Sequence, residues 1–178
     1  MEKDRMKRKD NIVLIGMPGC GKSTIGVVLA KVLGNRFIDS DLLIQEREGR
    51  LLSEILEAEG PERFNLIENE VISSIRAERS VIATGGSAVY GEEAMAHLRD
   101  IGTVIYIKLP LEELENRLGD LVERGISMKA GQTLKDLYEE RTPLYEKYAH
   151  LTANTEGLSI RDSVMLIREM WKAGSSVS

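Results

Sequence analysis

Cysteine, histidine and proline are scarce in this chain: one, two and four among 178 residues. A single thiol, Cys20, allows no disulfide framework, and two histidines far apart, His97 and His150, supply no zinc cluster. A reducing compartment follows, and the cytoplasm is the expected location. Basic charge is not in excess either, since 24 Lys and Arg stand against 29 Asp and Glu for a net charge of −5. Sequence-independent binding to nucleic acid needs a broad basic surface, so that class of partner is excluded. The opening MEKDRMKRKD is basic in patches, but only a short strand-like run follows it and no cleavage signature. It therefore reads as neither signal peptide nor membrane anchor. What remains is a chain with 42% hydrophobic residues, enough for a sizeable core. No repeat, low-complexity tract or linker divides it. We expect one monomeric domain over 11–172, flexible tails at 1–10 and 173–178, and a small-molecule partner.

Short β-branched runs alternate with longer amphipathic segments. NIVLI (11–15), RFIDSD (36–41), SVIAT (80–84) and TVIYIKL (103–109) are nearly continuous in apolar residues, as buried parallel strands are. LTANT (151–155) is a fifth candidate. Helical periodicity covers 22–33, 51–77 with a break near Gly60-Pro61, 92–98, 111–118, 133–148 and 160–171. Such alternation predicts an α/β fold, a parallel sheet with helices on both faces in three layers.

The motif with the most chemistry sits between the first strand and the first helix. Gly16-Met-Pro-Gly-Cys-Gly-Lys-Ser23 fits G-x-x-x-x-G-K-[ST] in strand–loop–helix context. Backbone N–H groups must converge on phosphate oxygens there, and Gly16, Gly19 and Gly21 permit the dihedrals and the approach. Cys20 lies inside this loop, Lys22 reaches the β- and γ-phosphates, Ser23 ligates Mg²⁺, and Thr24 continues the helix N-terminus facing the anion. The expected ligand is a nucleoside triphosphate with Mg²⁺. At the end of the second strand, Asp39 and Asp41 alternate and so point to one side of an extended chain. Asp41 suits the acceptor's hydroxyl proton, and Asp39 a metal-bound water. A helix cap is the alternative role for Asp41. Gly85, Gly86 and Ser87 form a second glycine-bearing strand end, able to approach a substrate or to make a tight turn. The charged, glycine-hinged segment 119–132 has the composition of a lid or of a plain loop.

GMPGCGKS, FIDSD, TGGSAV and RTPLYEKYA, in this order and spacing, resemble the shikimate kinases, which have the nucleoside-monophosphate-kinase-like P-loop fold. The resemblance covers about 10–170. It implies ATP-dependent phosphorylation of shikimate, with Lys22 and Ser23 on phosphate and Mg²⁺, Asp39 supporting the metal and Asp41 on the acceptor hydroxyl. It further implies Gly85 and Gly86 against the substrate ring, Arg124 as the lid arginine, Arg117 near the nucleotide, and Arg141 on the substrate carboxylate. Three positions depart from the family pattern. Asn65 follows Phe64 where a second carboxylate-reading arginine is usual, Ser87 stands in a glycine triplet, and Arg124-Gly-Ile-Ser127 replaces Arg-Pro-Leu-Leu. An amide in place of a guanidinium weakens the clamp by about 1.5–3 kcal/mol. The alternative acceptor is therefore another hydroxy acid or a hydroxy amino acid such as homoserine. A nucleotide-binding module without catalysis is the alternative of a different class.

Overall fold

The computed structural model describes residues 9–118 and 125–174. Five strands, β1 (Asn11–Ile15), β2 (Arg36–Asp39), β3 (Ser80–Ala83), β4 (Gly102–Lys108) and β5 (Leu151–Asn154), form one parallel sheet in the order β2-β3-β1-β4-β5. The centre of the sheet is its most apolar part. Every residue of β1 is buried, and Val13 pairs with Ile82 on one side and Val104 on the other. Parallel neighbours require crossovers, supplied by α1 (Lys22–Leu33), α2 (Ser40–Glu48), α3 (Leu52–Ser73), α4 (Glu92–Ile101), α5 (Leu111–Arg117) and α6 (Leu134–Tyr148), and α7 (Ile160–Gly174) follows β5. The predicted α/β class, the five strands and the kinked third helix are all present.

Topology selects the functional edge. β1 and β3 are neighbours, yet the chain leaves β1 towards β2 on one side and reaches β4 on the other from β3. A crevice opens at such a reversal beyond the carboxyl ends of the strands. Three candidate segments follow those ends: the glycine loop after β1, Asp39 and Asp41 after β2, and Gly85 to Ser87 after β3.

The second strand is shorter than its sequence suggests. It ends at Asp39, whose φ of −109° and ψ of 116° are still extended, and helix α2 begins at Ser40. Asp41 therefore sits in the first helical turn instead of alternating with Asp39 along a strand. The cap is Asp39, because its carboxylate accepts from the Asp41 N–H at 2.9 Å. A carboxylate at that position satisfies an orphan donor and complements the helix dipole, which is why the helix starts two residues early.

Helix α3 is bent at Gly60, which takes φ 79° and ψ 167° ahead of Pro61. The bend separates a first arm from a second arm whose apolar stripe, Phe64, Ile67, Val71 and Ile72, is buried. Phe64, Ile67 and Val71 pack with Ile44 and Ile55 in a small core between α2 and α3, apart from the main one around the sheet. Among the described residues, no helix is long and apolar enough to cross a membrane.

The end of the sheet opposite the crevice is closed by one amide. Asn11, 3% exposed, donates to the carbonyls of Ala77 and Ile101 at 2.7 and 3.0 Å and accepts from Ser80 N–H at 3.0 Å. Asn11→Ala leaves three backbone groups unpaired, so we expect a loss of about 3 kcal/mol, or roughly 6–12 °C in Tm. Turnover at saturating substrate, measured below the transition, should be unchanged.

Candidate active site

The phosphate loop is built by backbone conformation. Gly21 takes φ 98°, a left-handed conformation that turns the chain into α1 and leaves the first N–H groups of the helix facing the loop. Lys22 is buried, and its ammonium donates to the carbonyls of Gly16 and Met17 at 2.7 and 2.8 Å. Cys20 is also buried, with Sγ 3.6 Å from that ammonium, so its side chain faces inward beneath the loop. Ser23 Oγ donates to Asp39 Oδ2 at 3.0 Å. Asp39 thus holds Ser23 with one oxygen and caps α2 with the other.

A cavity of about 260 Å³ is lined by Gly19, Lys22, Ser23 and Thr24, by Asp41 and Gly85, and by Arg141 of α6. Burial, then the neighbouring Asp39 carboxylate, push Asp41 up to about 6 against the pull of Lys22. Gly85 is tied to α2 through its N–H, which donates to Ser40 Oγ at 3.3 Å. Gly86 must lack a side chain, because a Cβ there would stand 2.7 Å from Pro18 Cδ and 3.0 Å from Arg141 Nη1. Its carbonyl accepts from Tyr145 O–H at 2.6 Å, and the Tyr145 ring stacks on Tyr106 at 5.1 Å between centroids.

Arg141 is 1% exposed, and its guanidinium is aimed by neighbouring groups. Nε donates to Tyr90 Oη at 3.1 Å, Nη2 donates to the Ser127 carbonyl, and Nη1 is the nitrogen nearest Gly86. A planar fork fixed this way presents a rigid donor to an anion. Ser127 Oγ, in turn, donates to Asn65 Oδ1 at 3.0 Å. Asn65 lines an adjoining cavity of about 370 Å³ with Tyr90, Gln132 and Glu140, and Ser127 lies on the wall between the two.

One set of side chains thus spans phosphate loop, carboxylate and anion reader. The shikimate kinase family model matches residues 18–172. The chain belongs to the shikimate kinase family. It is 39% identical over 163 residues to the shikimate kinase of Francisella tularensis subsp. holarctica (strain OSU18), covering 89% of this chain and 93% of that one. The shikimate kinase of Clostridium botulinum (strain Eklund 17B / Type B) is 39% identical over 143 residues, 80% of this chain and 86% of its own. Among solved structures, shikimate kinase from Acinetobacter baumannii in complex with shikimate superposes with a TM-score of 0.78 at 31% identity, covering 92% and 93% of the two chains. The enzyme from Aquifex aeolicus gives 0.79 at 32%, covering 94% and 98%.

Two departures from the family pattern, Asn65 and Ser127, prove to be bonded to each other. Ser87 is buried, and its hydroxyl donates to Glu68 Oε2 at 2.5 Å instead of facing the cavity alone. Arg117, on α5, pairs with Glu113 at 2.8 Å and is not itself in the cavity lining, which its neighbour Leu118 joins. Arg124 and the lid portion 119–124 lie outside the described residues, while Gly125 rests against the start of α3, where an added Cβ would meet Leu52 Cβ at 3.1 Å.

Sequence reasoning did not single out Glu68, Tyr90 or Tyr145 as site residues. Glu68 did leave a signal, since it occupies a buried phase of α3 between Ile67 and Val71, where a charge has no place unless it is used. Burial, then Asp41, push Glu68 up to about 7, against the Ser87 hydroxyl, Arg141 and Lys22. The folded value lies above the unfolded one of 4.5. Its contribution to stability is therefore complete below the unfolded value and lost as pH rises through about 7. Glu68→Gln removes this dependence. The Tm of the variant relative to the native protein should rise from pH 4.5 to about 7 and then level off, and a constant difference across that range would refute the assignment.

Proposed function

We propose that this protein transfers the γ-phosphoryl group of ATP to a hydroxyl of shikimate, as a monomer in the cytoplasm. The observation that carries the reading is the shared lining of one cavity by the phosphate loop, a carboxylate with a raised pKa and a buried arginine. The loop from Gly16 to Thr24 would cradle the phosphates through its N–H groups, with Lys22 on the transferring one. Ser23 and Asp39 would hold Mg²⁺. They supply hard oxygen donors in contact with each other, and among the described residues no group of three His, Cys, Asp or Glu could hold a metal alone. A site of that kind suits an ion that arrives with the nucleotide and keeps phosphate and water ligands. Bound there, it neutralises charge on the phosphates.

Asp41 would accept the proton of the acceptor hydroxyl as that oxygen bonds to the γ-phosphorus and the bond to the β–γ bridging oxygen breaks, releasing ADP. Its raised pKa brings it closer to the range useful to a base. Gly85 and Gly86 would lie against the ring, and Arg141 Nη1 would pair with the carboxylate. Arg124 and Arg117 are assigned to the nucleotide side by resemblance alone. The hydroxy amino acid reading loses its support at Asn65, whose amide oxygen accepts from Ser127 Oγ and which lines the adjoining cavity instead of the one shared by Lys22, Asp41 and Arg141.

ADP release measured with shikimate, homoserine and gluconate tests the assignment. We expect kcat/KM to be highest for shikimate by at least tenfold, and a preference for homoserine would overturn it. Lys22→Ala should abolish turnover in a protein that still folds, with Tm lowered by a few degrees because the Gly16 and Met17 carbonyls lose their donor. Asp41→Asn should lower kcat by about 10²–10⁴ with a small change in KM, since the carboxylate acts in the transition state. Loss of a purely structural group would instead lower Tm and spare kcat.

Asn65→Arg restores a second fork beside Arg141. KM for shikimate should fall about tenfold or more if the position reads the carboxylate. An unchanged KM would place Asn65 outside acceptor recognition.

A further inference from the structure

Three guanidiniums gather at the end of the sheet opposite the crevice, where phosphoryl transfer has no use for them. Arg36 opens β2, Arg79 is the residue before β3, and Arg76 lies between α3 and β3. All three line a cavity of about 780 Å³ whose apolar part is Ile75, Ala77 and Ile101. A space of that size is in the range that holds a small molecule. One carboxylate, Glu78, shares the lining, so three positive charges stand against one negative charge in a chain whose net charge is −5. The backbone sets these positions. Arg79 O accepts from Arg36 N–H at 3.0 Å, which places the two residues side by side at the starts of adjacent strands. Asn11 fastens the rim, because Ala77 and Ile101, whose carbonyls it binds, both line the cavity. Like charges held side by side repel. Among the described residues neither Arg36 nor Arg79 has a side-chain hydrogen bond or ion pair to offset that repulsion, and Arg76 commits only Nη1, to the Ser73 and Ile75 carbonyls at 3.4 and 3.2 Å. Arg79 also has a positive φ of 47°, alone among the described residues other than glycine. Glycine takes that conformation freely, so the backbone favours another residue at a position that carries an unpaired guanidinium.

We propose that this cavity is a second anion site, which binds a small molecule bearing two phosphate groups on Arg36, Arg76 and Arg79. A guanidinium presents a planar fork of N–H donors that matches a pair of phosphate oxygens. A phosphate group has three terminal oxygens, enough for one fork and a single further bond, so three forks call for two such groups. Ile75, Ala77 and Ile101 cover the apolar part of the ligand. The site shares no residue with the cavity of the phosphate loop, which follows the other end of β1. Binding at the one is therefore independent of the charge at the other.

The test follows the backbone amide resonances of the full chain as inorganic pyrophosphate is added in the absence of Mg²⁺. Two groups of amides should move, those of 16–24 as the phosphate loop fills and those of 34–36 and 76–79 as the second site does. The second group should report a Kd of about 0.1–1 mM at low ionic strength, weakened severalfold or more by about 0.2 M salt. Inorganic phosphate should bind there about fivefold or more weakly, since it can engage fewer forks. Arg36→Gln and Arg79→Gly should each weaken the second titration about fivefold or more while leaving the first, and turnover, as in the native protein; Lys22→Ala should weaken the first and leave the second. Arg79→Gly should keep or raise Tm, because a φ of 47° suits glycine, so its loss of binding does not come from unfolding. Shifts confined to the phosphate loop overturn the proposal. Shifts at the cavity that are as strong with phosphate as with pyrophosphate, or that survive both arginine variants, show an adventitious ion only and overturn it as well.

Discussion

The carboxylate of Asp39 is the junction on which the site depends. One of its oxygens receives the hydroxyl of Ser23, at the start of the helix that follows the phosphate loop, and the other receives the N–H of Asp41. On the proposed reading, the first bond fixes where a cation would sit beside the phosphates, and the second fixes the helical turn that carries the proposed base. Donor and acceptor chemistry are thereby registered to each other through a single rigid group at the end of a strand. The remaining contacts, from Gly85 on Ser40 to Tyr145 on Gly86, brace the loops that face this junction. Placement to within a fraction of an ångström is what in-line transfer requires, because most of the work of such catalysis is positioning.

The interior of the site concentrates charge in a dry region. Asp41, Glu68, Lys22 and Arg141 are all largely removed from water, and the two carboxyl groups are displaced towards their neutral forms by burial. Opposite charges moderate that displacement without cancelling it. Such an arrangement is costly for folding and useful for chemistry, since a hydrogen bond or ionic contact to a ligand is strongest where solvent does not compete.

Much of this was legible beforehand. Continuous apolar runs separated by helical periods gave all five strands and their class, and the glycine-lysine-serine motif fell on the lining of the cavity. The misreading at Asp41 arose because period-two alternation and a helix cap look alike over three residues; only the carboxylate of Asp39 turning back on the next N–H but one decides between them. Glu68 escaped because charge on a helix is usually solvated, and its burial depends on α3 bending at Gly60 and packing on α2. The Asn65–Ser127 bond joins residues 62 positions apart, a partnership that no local pattern encodes.

The crowding at Gly86 bears on how such a protein could acquire a new substrate. Pro18 of the phosphate loop, Arg141 and the Tyr145 hydroxyl close on this glycine from three directions, so the β3 loop cannot drift without disturbing the nucleotide's seat. The side chains of Asn65 and Ser127 bond to each other and to no group of the phosphate loop. A change of either side chain leaves the loop's own contacts in place, which gives laboratory evolution of acceptor preference a short list of positions to randomise first.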